Sequence, residues 1–278
     1  MMKKLLPVFI LFIFSACSND TGTVDDGPDV KPQVGIAAPE NIAVNILSVY
    51  PHDTSAYTQG LQVHDGKFYE GTGDYERSSL RITEIKTGKV LKKHMMGTAE
   101  DADGIFGEGI NVFKDKIYQL TWKSHIVYVY DKNNIDKPIQ TLKWQYEGWG
   151  ITNNGTDLII SDGSSNLYFV NPDDFRVKTT LPVVDNQGPV SFLNELEYIN
   201  GYVYANIYTA DYIVKIDPAN GHIVGKISLP GLLQQYAPNY KLKDNGGEVL
   251  NGIAYDSTTK KMYITGKDWP KMFEVALP

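Results

Sequence analysis

The chain has 278 residues and carries 26 lysines and arginines against 33 aspartates and glutamates, a net charge of −7. That acidity excludes a phosphate backbone as the natural partner, and 42% apolar with 21% charged residues excludes disorder over most of the length. With one cysteine, Cys17, an internal disulfide framework is excluded as well.

Taken in chain order, Lys3 and Lys4 precede an apolar run from Leu5 to Phe14, and Ser15, Ala16 and Cys17 follow. A basic start, a short apolar core and small residues read as a secretory signal. The run is too short for a bilayer, which needs about 20 residues. The pattern resembles a bacterial lipoprotein signal, whose Cys becomes the lipidated first residue. Residues 1–17 are therefore expected to be a signal ending at lipidated Cys17. Residues 18–40, rich in Asp, Gly, Thr and Pro, are expected to be a flexible tether. The domain would then sit in the bacterial cell envelope, periplasmic or surface-exposed, with a lipid anchor as its only membrane contact.

From Asn41 onward the apolar pattern is short and alternating, which predicts strands. They fall at 42–50, 60–64, 67–71, 79–85 and 90–94, then at 109–113, 116–121, 126–130, 158–161, 167–170 and 177–181. The last third adds 195–199, 202–207, 213–216, 223–229, 252–255, 261–265 and 271–275. Asp65-Gly66, Thr87-Gly88, Asn154-Gly155, Asn200-Gly201 and Asn220-Gly221 punctuate them as turns. Only 232–240 has the pattern of a short helix.

The strands recur as a unit. Gly60-Leu61, Gly109-Ile110, Gly150-Ile151, Leu196-Glu197 and Gly252-Ile253 each open one, at the spacing of propeller blades. The fifth unit stops after its third strand, while a strand at 44–50 precedes the first unit. The economical solution is an all-β, five-bladed β-propeller over 41–278, its last blade closed by the N-terminal strand, since closure removes open sheet edges.

In such a ring the residues that enter the innermost strands face one funnel: Thr58-Gln59, Phe106-Gly107-Glu108, Gly148-Trp149, Asn194-Glu195 and Leu250-Asn251. The five histidines are scattered, and no metal-ligand spacing is read from them. No serine lies in a nucleophile-elbow pattern. Chemistry here would run on a carboxyl that carries a proton, with Glu70 and Glu108 as candidates. A wall of Trp122 and Trp149 would raise the pKa of such a group by desolvation.

Eleven motifs in chain order extend the argument. Among them are Pro51-His52-Asp53, Tyr57-Thr58-Gln59-Gly60-Leu61, Phe68-Tyr69-Glu70, Phe106-Gly107-Glu108-Gly109, Asn194-Glu195-Leu196-Glu197 and Thr265-Gly266-Lys267-Asp268-Trp269. On these the chain resembles the plant and bacterial glutaminyl-peptide cyclotransferases, also called glutamine cyclotransferases. The resemblance implies cyclisation of an N-terminal glutamine of a peptide or protein to pyroglutamate with release of ammonia, without a catalytic cofactor. It implies Glu70 as the catalytic acid/base, with Gln59, Tyr57, Glu108, Trp122, Trp149, Asn194, Asn206, Tyr208 and Lys267 binding substrate. The family sometimes holds a calcium-like ion on the propeller axis, in a structural role. A monomer is expected. The competing reading is a non-catalytic propeller of the cell envelope that binds a peptide or other ligand.

Overall fold

The computed structural model describes residues 35–97, 104–243 and 246–278. The expected signal, Cys17 and most of the tether therefore lie outside the described residues, as does the acidic stretch around Asp101.

Five four-stranded antiparallel units follow one another. Blade 1 holds Thr58–His64, Lys67–Thr72, Ser79–Glu84 and Val90–Met95. Blade 2 holds Gly107–Phe113, Lys116–Thr121, Ile126–Asp131 and Gln140–Lys143. In blade 3 the strands are Ile151–Asn153, Leu158–Ser161, Asn166–Val170 and Val177–Pro182. Blade 4 comprises Leu193–Ile199, Tyr202–Ile207, Tyr212–Ile216 and Ile223–Ser228. Blade 5 contributes only Leu250–Asp256, Lys261–Gly266 and Lys271–Ala276 from the C-terminal end. Its fourth strand is Asn45–Pro51, antiparallel to Lys271–Ala276 with Tyr50 opposite Met272. The ring is thus closed by the N-terminal strand, as the repeat predicts.

Alternation within each strand sends side chains into the two flanking seams. Phe68 packs with Leu61, Tyr263 and Met272 between blades 5 and 1, whereas Tyr69 packs with Leu80, Ile110 and Ile117 between blades 1 and 2. The remaining seams are filled by Leu120, Leu158 and Ile160, by Ile159, Leu196 and Val203, and by Ile213, Ile253 and Phe273. Innermost strands pack on one another around the axis. At Gly150 the approach is so close that a Cβ would sit 2.0 Å from the Asn194 carbonyl oxygen. Glycine is required there by space.

Three features go beyond the sequence pattern, the first being Gln140–Lys143, the fourth strand of blade 2, where no strand is expected. Glu40, assigned to the tether, already pairs with Gly225 in a short parallel strand, Glu40–Asn41, on the outer edge of blade 4. A two-stranded hairpin, Val184–Asp185 with Gly188–Pro189, stands between blades 3 and 4. The one helix among the described residues, Leu232–Tyr236, buries Leu232 and Leu233 beside blades 4 and 5.

Candidate active site

Four of the five innermost strands enter their blade through a register shift: between Thr58 and Gly60, Gly107 and Ile110, Leu193 and Leu196, and Leu250 and Ile253. A bulge re-aims the side chains it contains. Gln59, Glu108, Asn194 and Asn251 all lie within these shifts, and three of them face one cavity.

That cavity, of about 260 Å³, is lined by Tyr57, Gln59, Phe106, Glu108, Trp122, Trp149, Asn194, Tyr208 and Lys267. Its aromatic wall is continuous on two sides. Phe106 meets Tyr57 and Trp122 edge-on at 6.2 and 5.6 Å, and Trp149 meets Tyr208 edge-on at 5.7 Å. Lys267 Nζ lies 4.8 Å from the ring centres of both Tyr57 and Tyr208. The polar floor is ordered. Gln59 Nε2 donates to Glu108 Oε1 at 3.1 Å, and Asn251 Nδ2 donates to the Thr58 carbonyl at 2.9 Å and to Gln59 Oε1 at 3.3 Å. Asn194 Oδ1 is buried without a hydrogen-bond partner among the described residues.

Electrostatics single out two groups. Glu108 is 5% exposed. Burial pushes its carboxyl well above the ordinary range, the Lys267 charge pulls it back, and the Glu147 charge pushes it further up. Lys267 is 3% exposed, and burial lowers its ammonium to about 8 despite the attraction of Glu108. The cavity therefore holds a carboxyl pushed up and an amine pushed down from their ordinary values, so their titrations have moved toward each other.

Glu70 stands elsewhere. It is buried but lines no part of the cavity, because it follows Phe68 by two residues and shares that residue's face toward blade 5. His52 Nε2 lies 2.9 Å from Glu70 Oε1, and Thr58 Oγ1 donates to the same oxygen at 2.8 Å. His52 Nδ1 donates to the Trp269 carbonyl at 2.6 Å. Burial disfavours charge on both members, yet Glu70 holds the His52 imidazole above its usual value and His52 holds the Glu70 carboxyl below its own. The desolvated, raised carboxyl expected beside the tryptophans is Glu108. Asn206 is also away from the cavity, its Oδ1 accepting from the Gly252 amide at 2.9 Å. Phe106, expected at the funnel but not among the substrate-binding residues, lines the pocket as well. Among the described residues no group of three or more His, Cys, Asp or Glu side chains is placed to hold a metal.

Comparison with known proteins agrees with this architecture. The glutamine cyclotransferase family model matches residues 21–277. This chain belongs to the glutamine cyclotransferase family. A glutaminyl-peptide cyclotransferase of Arabidopsis thaliana is 35% identical over 235 residues, which cover 84% of this chain and 71% of that protein. The crystal structure of Myxococcus xanthus glutaminyl cyclase superposes with a TM-score of 0.77 at 34% identity, covering 86% of this chain and 98% of that one. Among glutamine cyclotransferases the activity has to be argued from the pocket, since the fold alone hosts many functions.

Proposed function

We propose that this protein cyclises the N-terminal glutamine of peptides or proteins to pyroglutamate, with Glu108 as the proton carrier. The observation that carries this reading is the Glu108 carboxyl, buried in an aromatic cavity with its pKa raised and its orientation held by Gln59. Family membership and the names of both relatives support the substrate class.

In the reaction the α-amine nitrogen forms a bond to the side-chain Cδ, and the bond from Cδ to the amide nitrogen breaks. Ammonia leaves and no water is consumed. Glu108 accepts the proton that the attacking amine loses and delivers it to the departing nitrogen, which needs a carboxyl able to hold and release a proton near neutral pH. Lys267, desolvated and close to Tyr57 and Tyr208, is suited to stabilise the negative charge that develops on the carbonyl oxygen. Asn194 Oδ1 offers the acceptor that the substrate's amide N–H lacks in an apolar pocket. The aromatic wall holds the side chain folded back on its own amine, which contributes through orientation.

The test is ammonia release from a short peptide with N-terminal glutamine, with N-terminal glutamate and internal glutamine peptides as controls. Glu108→Gln is expected to lower kcat about 10²–10⁴-fold, the usual worth of a positioned acid/base. Peptide bound without turnover by the wild-type protein points instead to a binding propeller. The basic, then apolar, then small-residue pattern of 1–17 supports a secretory leader and an envelope location, and radiolabelled fatty acid incorporated by wild type but not by Cys17→Ser is the expected sign of the lipid anchor.

A further inference from the structure

Three of the chain's four tryptophans direct their indole N–H groups at a single residue that lines no part of the cavity. Trp122 Nε1 donates to Glu147 Oε2 at 2.8 Å, and Trp149 Nε1 donates to the same oxygen at 3.0 Å. Trp144, buried in the seam between blades 2 and 3, donates to the Glu147 carbonyl at 3.1 Å. The next amide, Gly148, reaches the Thr121 and Trp122 carbonyls at 3.2 and 3.1 Å. Glu147 is thus fixed from behind by the core and grips both cavity indoles in front.

The two indoles come from different blades. Trp122 follows the second strand of blade 2, and Trp149 precedes the innermost strand of blade 3. A buried indole N–H needs an acceptor, and separate acceptors would leave the two rings independent. One shared carboxylate oxygen couples them. Its side chain is 37% exposed, so the charge keeps contact with water and avoids the full cost of burial. Lys123 Nζ, 3.9 Å over the Trp122 ring and 4.0 Å from Glu147 Oε1, covers the outer side of the same indole.

We propose that Glu147 is a positioning residue for cyclisation, setting the spacing of the Trp122 and Trp149 walls that hold the glutaminyl residue folded over Glu108. This rests on the cyclase reading above. A second consequence follows from its charge. The ionisable groups facing Glu108 are Lys267, Glu147 and the Tyr57 phenol. Lys267 lowers the carboxyl and Glu147 raises it, so Glu147 acts on the walls through its oxygen and on the proton carrier through its charge.

Two substitutions separate these effects in the full-length protein. Glu147→Gln keeps a carbonyl oxygen able to accept from both indoles but removes the charge. Glu147→Leu removes both. Steady-state kinetics with an N-terminal glutamine peptide from about pH 5 to 10 and tryptophan emission spectra are the readouts. Glu147→Leu is expected to raise KM about tenfold, the worth of a hydrogen bond to a charged acceptor, and to shift emission to the red as the indoles gain water. Glu147→Gln is expected to restore wild-type emission and most of KM, while the acidic limb of kcat/KM moves to lower pH. Wild-type KM and emission in Glu147→Leu overturn the proposal. So does a Glu147→Gln variant as impaired as Glu147→Leu with its acidic limb unmoved. A wild-type protein that leaves the peptide untouched overturns the cyclase reading instead, and the emission spectra alone then decide whether Glu147 holds the walls.

Discussion

Glu70 and Glu108 are both buried glutamates beside blade strands, and their neighbours give them opposite properties. Glu70 has an imidazole partner and two hydrogen bonds on one oxygen, and His52 holds its carboxyl below the ordinary value, which favours the ionised form. Glu108 has an amide donor and an apolar surround, so its proton is readily regained. Glu70→Gln is therefore expected to keep kcat within about an order of magnitude of wild type, against the 10²–10⁴-fold loss expected of a proton carrier. The introduced amide can donate to a neutral His52, and His52 keeps its bond to the Trp269 carbonyl. A Glu70→Gln loss as large as that of Glu108→Gln would return the catalytic role to Glu70. Lys267 gives a second expectation. Its ammonium deprotonates at about 8, so kcat/KM should fall above that pH, and Lys267→Arg, charged at every assay pH, should lose this limb while turning over more slowly. An unchanged basic limb in Lys267→Arg would assign the limb to another group. Most of the lining residues were legible because they recur at equivalent points of a repeat. Glu147 was not, since the segment between blades 2 and 3 follows no repeat and its role depends on where two distant indoles converge.

At the scale of strands and turns, period-two alternation carried most of the fold. It gives the blades, the closing strand at the N-terminus and the paired turn residues, such as Asp65 and Gly66 with φ of 48° and 69°. It also contains the reason Glu70 misses the funnel, because Phe68 and Glu70 share a face and Phe68 is a seam residue. The parallel strand Glu40–Asn41 was illegible: two polar residues carry no alternation, and only the free edge of blade 4 recruits them. Turns also shape the pocket. Gly163 has φ of 79°, and a Cβ there would lie 2.6 Å from the Trp149 ring, whereas Gly155, at φ 86°, has open space around it. Both positions resist alanine through left-handed backbone, at about 1 kcal/mol, but only Gly163→Ala also displaces the Trp149 wall. It is expected to raise KM, while Gly155→Ala lowers the melting temperature slightly and leaves KM alone. Equal KM values for the two variants would show that the wall tolerates the displacement.

Over the whole molecule, the ring leaves the inner edges of its blades facing the axis, and buried edge amides need acceptors. Two carboxyls of blade 4 supply them. Glu195 accepts from the Leu61 amide of blade 1 at 3.1 Å and the Ile253 amide of blade 5 at 2.7 Å. Glu197 accepts from the Tyr255 amide of blade 5 at 2.8 Å, with the Thr152 hydroxyl of blade 3 at 3.5 Å. These bonds tie blades together across the centre, but burial makes ionisation there costly and raises Glu197 to about 8. The sign of the resulting pH dependence is fixed. In the unfolded chain a glutamate loses its proton at about 4.3, whereas folded Glu197 keeps it to about 8. Between those values the folded state binds the extra proton, so stability falls as pH rises and levels off above about 8. Glu197→Gln reproduces the protonated side chain, with its oxygen for Tyr255 and its amide for Thr152, and has no proton to lose. Its melting temperature should match wild type near pH 4, then exceed it by a margin that widens to several degrees at pH 8. Melting curves that run parallel at every pH would mean that Glu197 ionises in the folded ring, and that the carboxyl stitching the blades is a carboxylate stabilised by the amides it receives.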